Sequence, residues 1–294
     1  DRPAVEDALR LRLGLRPLTG PLAAASLSAQ VRLWTWLGPV LAAVLALVLR
    51  VVNLRHPHAL VFDETYYVKQ ATSLLELGYE GEWPDDYDTR FVDGDLSGLS
   101  TTADYVVHPP LGKWLLALGQ LVGGTDNGFG WRMATAVTGA LGVLLVGLLV
   151  ARLLRSPLLG TLAGFFLAVD GAHLVLSRTG LLDVFLSTFV LAGLVLVLQD
   201  QRWARARLAS RVAADVTDPA RDAKRKGTGR PSDPWGPRLG VRWWLVAAGI
   251  VLGLSCGIKW SGIYAVAAFG ILAFVADTQA RRAAGVRLWF GAGV

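Results

Sequence analysis

Apolar residues run in long blocks along this chain, separated by polar stretches of very unequal length. The clearest blocks, 133–150, 34–49, 158–169 and 184–198, approach the ~20 residues a helix needs to cross the hydrocarbon core of a bilayer. A further run over 243–276 is interrupted at Ser255-Cys256-Gly257-Ile258-Lys259-Trp260-Ser261-Gly262, which predicts two short spans with Lys259 at the hairpin tip. The pattern therefore predicts spans at 34–52, 131–153, 158–176, 181–199, 243–257 and 261–277. Between the first two, 65–77 and 111–122 have helical potential but are too short to span, and they read as helices lying on the membrane surface. The expected fold class is all-α integral membrane, a multi-span helical bundle with a large first extracytoplasmic loop.

Charge orients this arrangement, because basic residues of short loops mark the cytoplasmic side. Arg2, Arg10, Arg12, Arg16 and Arg32 precede the first span, Arg152 and Arg155 separate the second from the third, and Arg281, Arg282 and Arg287 follow the last. The segment 200–242 is densely basic, with Arg202, Arg211, Arg225 and Arg242 among its cations. All of these fall on one side. The segment 53–130 is acidic and falls on the other, with Asp63, Glu64, Glu80, Asp88, Asp93 and Asp104 among many carboxylates against Arg55, Lys69, Arg90 and Lys113. The expected organisation is thus a cytoplasmic segment 1–33, an outer loop 53–130, a short outer loop 177–180 and a basic cytoplasmic linker 200–242. Residues 278–294 read as a cytoplasmic loop leading into a seventh span. Within the linker, 213–237 is rich in Asp, Lys, Arg, Pro and Gly and reads as flexible. Its charge needs no partner beyond anionic lipid headgroups. The first span has no small-residue cleavage site after it and reads as an anchor. With Asp at position 1 and an apolar stretch at 288–294, the chain reads as the front part of a longer membrane protein.

Composition narrows the function classes. At 294 residues and 53% hydrophobic, with a mean hydropathy of +0.45, the chain is too apolar for a soluble domain. The formal charge of +6 lies where topology requires it, which argues against a nucleic-acid surface. The single Cys256 excludes an internal disulfide and any cysteine-based metal cluster. Arg heavily outnumbers Lys, and Ala, Gly, Val and Leu abound, the usage of a GC-rich genome.

The chemistry concentrates on the outer side. Val61-Phe62-Asp63-Glu64-Thr65 offers an acidic pair at a helix start. Asp63 reads equally well as the N-cap, with Glu64 at the positive helix end, and as a fixed carboxylate suited to general-base work; the two are compatible. Val107-His108-Pro109-Pro110-Leu111-Gly112-Lys113 follows in the same loop. Its prolines fix the approach to a helix, its His could be merely hydrogen-bonded, and Lys113 could snorkel. Arg50 and Arg132, at outer ends of the first two spans, read as interfacial anchors or as phosphate ligands. In Ser177-Arg178-Thr179-Gly180-Leu181-Leu182-Asp183 the Arg and Asp could simply pair. Asp170, His173 and Lys259 lie in apolar surroundings, where ionisable groups default to a functional reading. Arg50, Arg132, Arg178 and Lys259 together would gather cations near Asp63, an arrangement suited to a lipid-linked phosphate as it departs.

Arg50, Phe62-Asp63-Glu64, His108-Pro109-Pro110-Leu111-Gly112-Lys113, Arg132, Ser177-Arg178 with Leu181-Leu182-Asp183, and Gly257-Ile258-Lys259-Trp260 occur in an order and spacing that resemble the protein O-mannosyltransferases. The resemblance is strongest to the actinobacterial-type polyprenyl-phosphate-mannose–protein mannosyltransferases and runs from about residue 34 to the end. It implies a GT-C glycosyltransferase fold and an inverting, metal-independent transfer of mannose from a polyprenyl monophosphate to Ser or Thr of an exported protein. It makes Asp63 the catalytic carboxylate and Glu64 a neighbour important for acceptor or active-site geometry. Arg50, His108, Lys113, Arg132, Arg178, Asp183 and Lys259 become donor-phosphate or substrate ligands. The implied partners are the lipid-linked donor, secreted or membrane proteins bearing Ser or Thr, and membrane lipids, with the protein-export machinery open as a further one. The implied location is the cell membrane, multi-pass, with an extracytoplasmic active site. No cofactor or metal site is expected, although Asp63, Glu64 and Asp183 leave weak Mg²⁺ or Mn²⁺ binding open. Two other readings stand beside this one. One is a GT-C transferase moving a polyprenyl-linked sugar onto a lipid or glycan, which fold similarity does not separate from the first. The other is a transporter or assembly subunit, which would place polar residues within several spans instead of in outer loops.

Overall fold

The computed structural model describes residues 1–20, 28–218 and 237–286, and its regular elements there are α-helices, with one isolated antiparallel bridge between Gly81 and Ala103. In chain order they are α1 (Arg2–Arg12), α2 (Ala29–Val51), α3 (Glu64–Leu77), α4 (Asp88–Val92), α5 (Leu111–Gly123), α6 (Gly128–Leu153), α7 (Pro157–Val169), α8 (Gly171–Leu176), α9 (Asp183–Val216), α10 (Trp243–Ile258) and α11 (Gly262–Ala283). Four of these, α2, α6, α9 and α11, are long and apolar enough to cross a membrane, while α7 and α10 are shorter apolar helices.

Two elements differ from the sequence pattern. The stretch expected as a third span, 158–176, is broken at Asp170, whose carboxylate accepts the His173 N–H at 2.8 Å and so caps the separate α8. The fourth helix does not end near 199, where the linker was expected to start; α9 continues to Val216. Its extension is held because Ala204, Leu208, Ala209, Val212 and Ala213 recur at helical spacing and are buried. The centre of the expected linker, 219–236, and the expected start of a seventh span, 288–294, lie outside the described residues.

The chain divides into two compact units. One comprises Asp1–Ser28, Leu194–Gly249 and Val266–Val294. Here Leu9 and Leu13 of α1 pack with Leu208, Ala209, Val212 and Ala213 of α9 and with Ala280 of α11, so the N-terminal segment carries a docked helix. Arg242 is hydrogen-bonded to both Asp200 and Asp277, which neutralises one of the cations of the basic segment.

The other unit, Ala29–Gly193 with Ile250–Ala265, contains every candidate site residue. Helices α2, α6 and α7 pack against one another through Ala42, Ala46, Ala140, Val143 and Ala168. A Cβ on Gly160 would stand 2.6 Å from the Gly147 carbonyl, so the two backbones meet at glycine. Small residues at such faces let helices approach closely in lipid, where apolar surface alone gives no drive to associate. The segment 53–130 has its own packing. Helix α3 lies on α5, and Val68, Tyr87, Phe91, Val92 and Trp131 form a small core. Part of the acidic excess of this segment is structural: Asp88 accepts from Thr65 and Lys69, and Asp104 accepts from Gln70.

Candidate active site

The turn that delivers the acidic pair is strained. Phe62 has φ +54 and is 76% exposed, a left-handed conformation that costs a bulky L-residue roughly 1–2 kcal/mol. Glu64 holds the turn from within: its Oε2 accepts the Val61 N–H at 2.9 Å, while its own N–H donates to the Val61 carbonyl. Asp63 then occupies the N-cap position of α3, its carbonyl accepting from the N–H groups of Tyr66 and Tyr67. Its side chain makes no capping hydrogen bond. Instead Asp63 Oδ2 accepts from the Tyr67 hydroxyl at 3.3 Å, one turn along the same helix. The side-chain cap considered from the sequence is therefore not what positions Asp63.

Glu64 has the opposite environment. It is fully buried, and Arg132 Nε and Nη2 each donate to one of its oxygens at 2.7 Å. Gly180 N–H donates to Oε1 at 2.6 Å, and a Cβ on Gly180 would meet Val68, the Trp131 carbonyl and that same carboxylate oxygen. Glycine permits this approach. Arg132 also donates through Nη1 to the carbonyls of Leu54 and Pro57 and through Nη2 to that of Ala59. Every nitrogen of the guanidinium is engaged within the protein. This bidentate, charge-assisted pair ties the starts of α3 and α6 to the 54–61 stretch and to the turn before α9.

The other arginines are also engaged internally. Arg50, fully buried, donates to Ser177 Oγ (2.7 Å) and to the carbonyls of Ala46 and Ala168, and its Nη2 lies 2.7 Å from His173 Nδ1. Arg178 donates to the carbonyls of Leu49, Arg50 and Val52, closing the C-terminus of α2. It does not take Asp183 as its partner. Lys113 is buried and stands 2.8 Å from Glu80 Oε1 as an ion pair whose angle does not suit a hydrogen bond. Nothing in the residues around Lys113 marks Glu80 as that partner.

What remains around Asp63 is compact. Lys259 Nζ donates to both oxygens of Asp183, at 2.8 and 3.0 Å, with the carboxylate half exposed. Burial, and then the charges of Asp63 and Asp183, push the Tyr67 phenol well above its ordinary range, so its hydroxyl remains a donor. The His108 ring centroid lies 6.0 Å from that of Tyr67, and its Nδ1 is buried with no hydrogen-bond partner among the described residues. Burial and the neighbouring Lys259 and Lys113 push the His108 imidazole down, partly offset by Asp183 and Asp63. Asp63, Tyr67, His108, Asp183 and Lys259 thus share one neighbourhood, in which a partly exposed carboxylate and a lysine-bound one both act on the same phenol and imidazole. Tyr67 is the member that sequence reading overlooked, although its spacing of four from Asp63 on a helix was legible.

The chain is 40% identical over 271 residues to a polyprenol-phosphate-mannose–protein mannosyltransferase of Mycobacterium tuberculosis, an alignment covering 88% of this chain and 45% of the relative. A protein of the same name from Mycolicibacterium smegmatis is 37% identical over 251 residues, covering 84% of this chain and 42% of the relative. A shorter match, 41% over 95 residues, covers 32% of this chain and 14% of an undecaprenyl phosphate-alpha-4-amino-4-deoxy-L-arabinose arabinosyl transferase of Pseudomonas paraeruginosa. The chain spans about half the length of the curated mannosyltransferases it matches. No solved structure matches it significantly. The family model described as dolichyl-phosphate-mannose-protein mannosyltransferase matches residues 40–213, more than half of the chain and including Asp63, His108, Arg132 and Asp183. This all-helical membrane chain therefore belongs to the dolichyl-phosphate-mannose-protein mannosyltransferase family, whose members are GT-C glycosyltransferases.

Proposed function

We propose that the protein transfers mannose from polyprenyl-phosphate-mannose to Ser or Thr hydroxyls of exported proteins, with inversion at the anomeric carbon, at the extracytoplasmic face of the cell membrane. The observation that carries this reading is the contrast between two adjacent carboxylates. Glu64 is sealed by Arg132, whereas Asp63 is partly exposed and its Oδ1 has no protein donor among the described residues. A hydroxyl is a weak nucleophile and must lose its proton as its oxygen attacks C1; a fixed carboxylate can accept that proton. The bond from C1 to the phosphate oxygen breaks, and its electron pair leaves with the phosphate. The departing group needs positive charge rather than an acid, and Lys259, with Lys113 acting through space on the same imidazole, is the cation of this neighbourhood. His108, kept neutral, would serve as a hydrogen-bonding ligand. Glu64 and Arg132 on this reading shape the site. On the same reading its partners are the lipid-linked donor, Ser- or Thr-bearing secreted or membrane proteins, the surrounding lipids, and the export machinery that delivers acceptors.

Both oxygens of Glu64 are engaged by Arg132 and by backbone N–H groups, which removes it from the carboxylates considered for a divalent ion. Asp63 and Asp183 remain, and the expectation of metal-independent transfer rests on the chelator arm of the assay below. The match to an arabinosyl transferase favours a second reading, in which a different polyprenyl-linked sugar passes to a lipid or glycan. One assay separates these. Membranes expressing the full coding sequence are offered radiolabelled polyprenyl-phosphate-mannose or polyprenyl-phosphate-aminoarabinose, with a Thr-rich peptide present and with or without a chelator. Mannose on the peptide, unaffected by chelation, is expected; aminoarabinose on lipid with an unmodified peptide would establish the second reading instead.

Orientation has its own test. In a Cys256→Ser background, a cysteine replacing Asp93 in the acidic outer segment should react with an impermeant thiol reagent applied to intact cells. One replacing Ser232 in the basic segment should react only after lysis. A cysteine at 93 that reacts only after lysis would overturn the extracytoplasmic placement of the site, and one at 232 that reacts in intact cells would overturn the placement of the basic segment.

A further inference from the structure

We propose that Tyr67 is a positioning residue for the transfer step: its hydroxyl holds Oδ2 of Asp63 and thereby leaves Oδ1 to take the acceptor's proton. The inference rests on the reading of Asp63 as the base. It begins from the missing cap. Asp63 stands at the N-terminus of α3, where a carboxylate would ordinarily be fixed by backbone N–H groups, yet its side chain accepts none of them. The strained Phe62 before it does not fix the carboxylate rotamer either, since it sets only the direction of the backbone. What reaches the carboxylate is the phenol one turn later, at 3.3 Å. That distance is longer than the ~2.7–2.8 Å usual for O–H···O, as catalytic hydrogen bonds often are before substrate closes a site.

Tyr67 is itself anchored. Its ring is 9% exposed and packs among Ala71, Leu116, Leu181 and Phe185, with the His108 ring against it. The adjacent Tyr66 is 61% exposed, so α3 presents one of its two tyrosines to the core and turns only that one toward Asp63. Burial together with two neighbouring carboxylates keeps the phenol protonated, and it acts as a donor across any working pH. The hydroxyl therefore does two things to Asp63: it selects a rotamer, and it occupies one of two otherwise equivalent oxygens.

Tyr67→Phe keeps the buried ring and deletes only the hydroxyl. In membranes expressing the full coding sequence, kcat for mannose transfer is expected to fall about tenfold, the scale of a lost hydrogen bond to a charged group, with the donor KM unchanged. This split between kcat and donor KM is the readout that packing alone would not give. The other charged groups facing the pair are Asp183 from α9, His108 before α5, and Lys259 after α10, with Lys113 acting at longer range. All persist in the variant, so a lower kcat reports the hydroxyl. Adding Tyr67→Phe to Asp63→Asn should cause no further loss, since the bond's acceptor has lost its charge. If Asp63→Asn abolishes transfer while Tyr67→Phe keeps the wild-type kcat, the positioning role is wrong and the base assignment stands. If Asp63→Asn retains turnover, the base assignment fails first. A Tyr67→Phe enzyme that is merely less abundant, with normal kcat per folded molecule, would show that the tyrosine only packs.

Discussion

Arg132→Ala is expected to deplete the protein from membranes and to lower its unfolding midpoint in detergent steeply. The substitution would leave Glu64 fully buried with a charge and no cation, and would free the carbonyls of Leu54, Pro57 and Ala59. Breaking one side of such a buried pair costs about 3–5 kcal/mol, a large part of the ~5–15 kcal/mol that holds a folded domain together. Arg132→Lys should fare little better, since a point charge cannot reproduce a fork that meets both Glu64 oxygens and three carbonyls at once. Adding Glu64→Gln to Arg132→Ala should recover part of the loss, because the buried group is then uncharged. The exposed Arg90–Asp95 pair is the control, and Arg90→Ala should shift the midpoint hardly at all. Thermal melts and quantified membrane levels across these variants decide the matter. A stable, abundant Arg132→Ala protein that had lost only donor use would place the guanidinium in the phosphate site after all.

The second large effect is chemical and should leave folding alone. Asp63→Asn preserves the shape of a partly exposed side chain whose protein contact is the long Tyr67 bond, so protein abundance should stay near normal. Transfer should fall by roughly 10²–10⁴-fold, the usual contribution of a positioned base. Donor binding should survive, because the cations of the neighbourhood, Lys259 and Lys113, are held by Asp183 and Glu80. Glu64→Gln, one residue along, should behave differently: it removes the charge opposite Arg132 and should destabilise the protein. Two neighbouring carboxylates are thereby assigned different work by environment alone.

Much of this was legible in the sequence, for identifiable reasons. Unbroken apolar runs predicted the long helices α2 and α6, since a helix that crosses lipid leaves little freedom in its composition, while the interrupted run after 243 predicted two short spans, of which α11 is longer than expected. The break at Asp170 was not legible, because an aspartate inside an apolar run reads equally as a buried functional group and as a cap for a new helix. The continuation of α9 past 199 was hidden by its many arginines, which masked a buried Ala and Leu face. At the site, residue types were readable but commitments were not. Sequence placed four cations beside Asp63, whereas the structure ties Arg50, Arg132 and Arg178 to carbonyls, a hydroxyl, a histidine and Glu64. Those partners lie 68 to 129 positions away along the chain for the decisive contacts, beyond any local pattern. Tyr67 lies only four residues from Asp63, yet an aromatic at helical spacing ordinarily signals core; here it is core at the ring and polar at the tip.

The most direct test of the central claim is single-turnover transfer of radiolabelled mannose from polyprenyl-phosphate-mannose to a Thr-rich peptide, comparing wild type with Asp63→Asn at equal amounts of folded, donor-loaded protein. The account predicts that the variant binds donor with near wild-type affinity and forms mannosyl peptide at least ~10²-fold more slowly. Near-normal transfer by Asp63→Asn, or no mannosyl peptide from the wild-type enzyme, would contradict it.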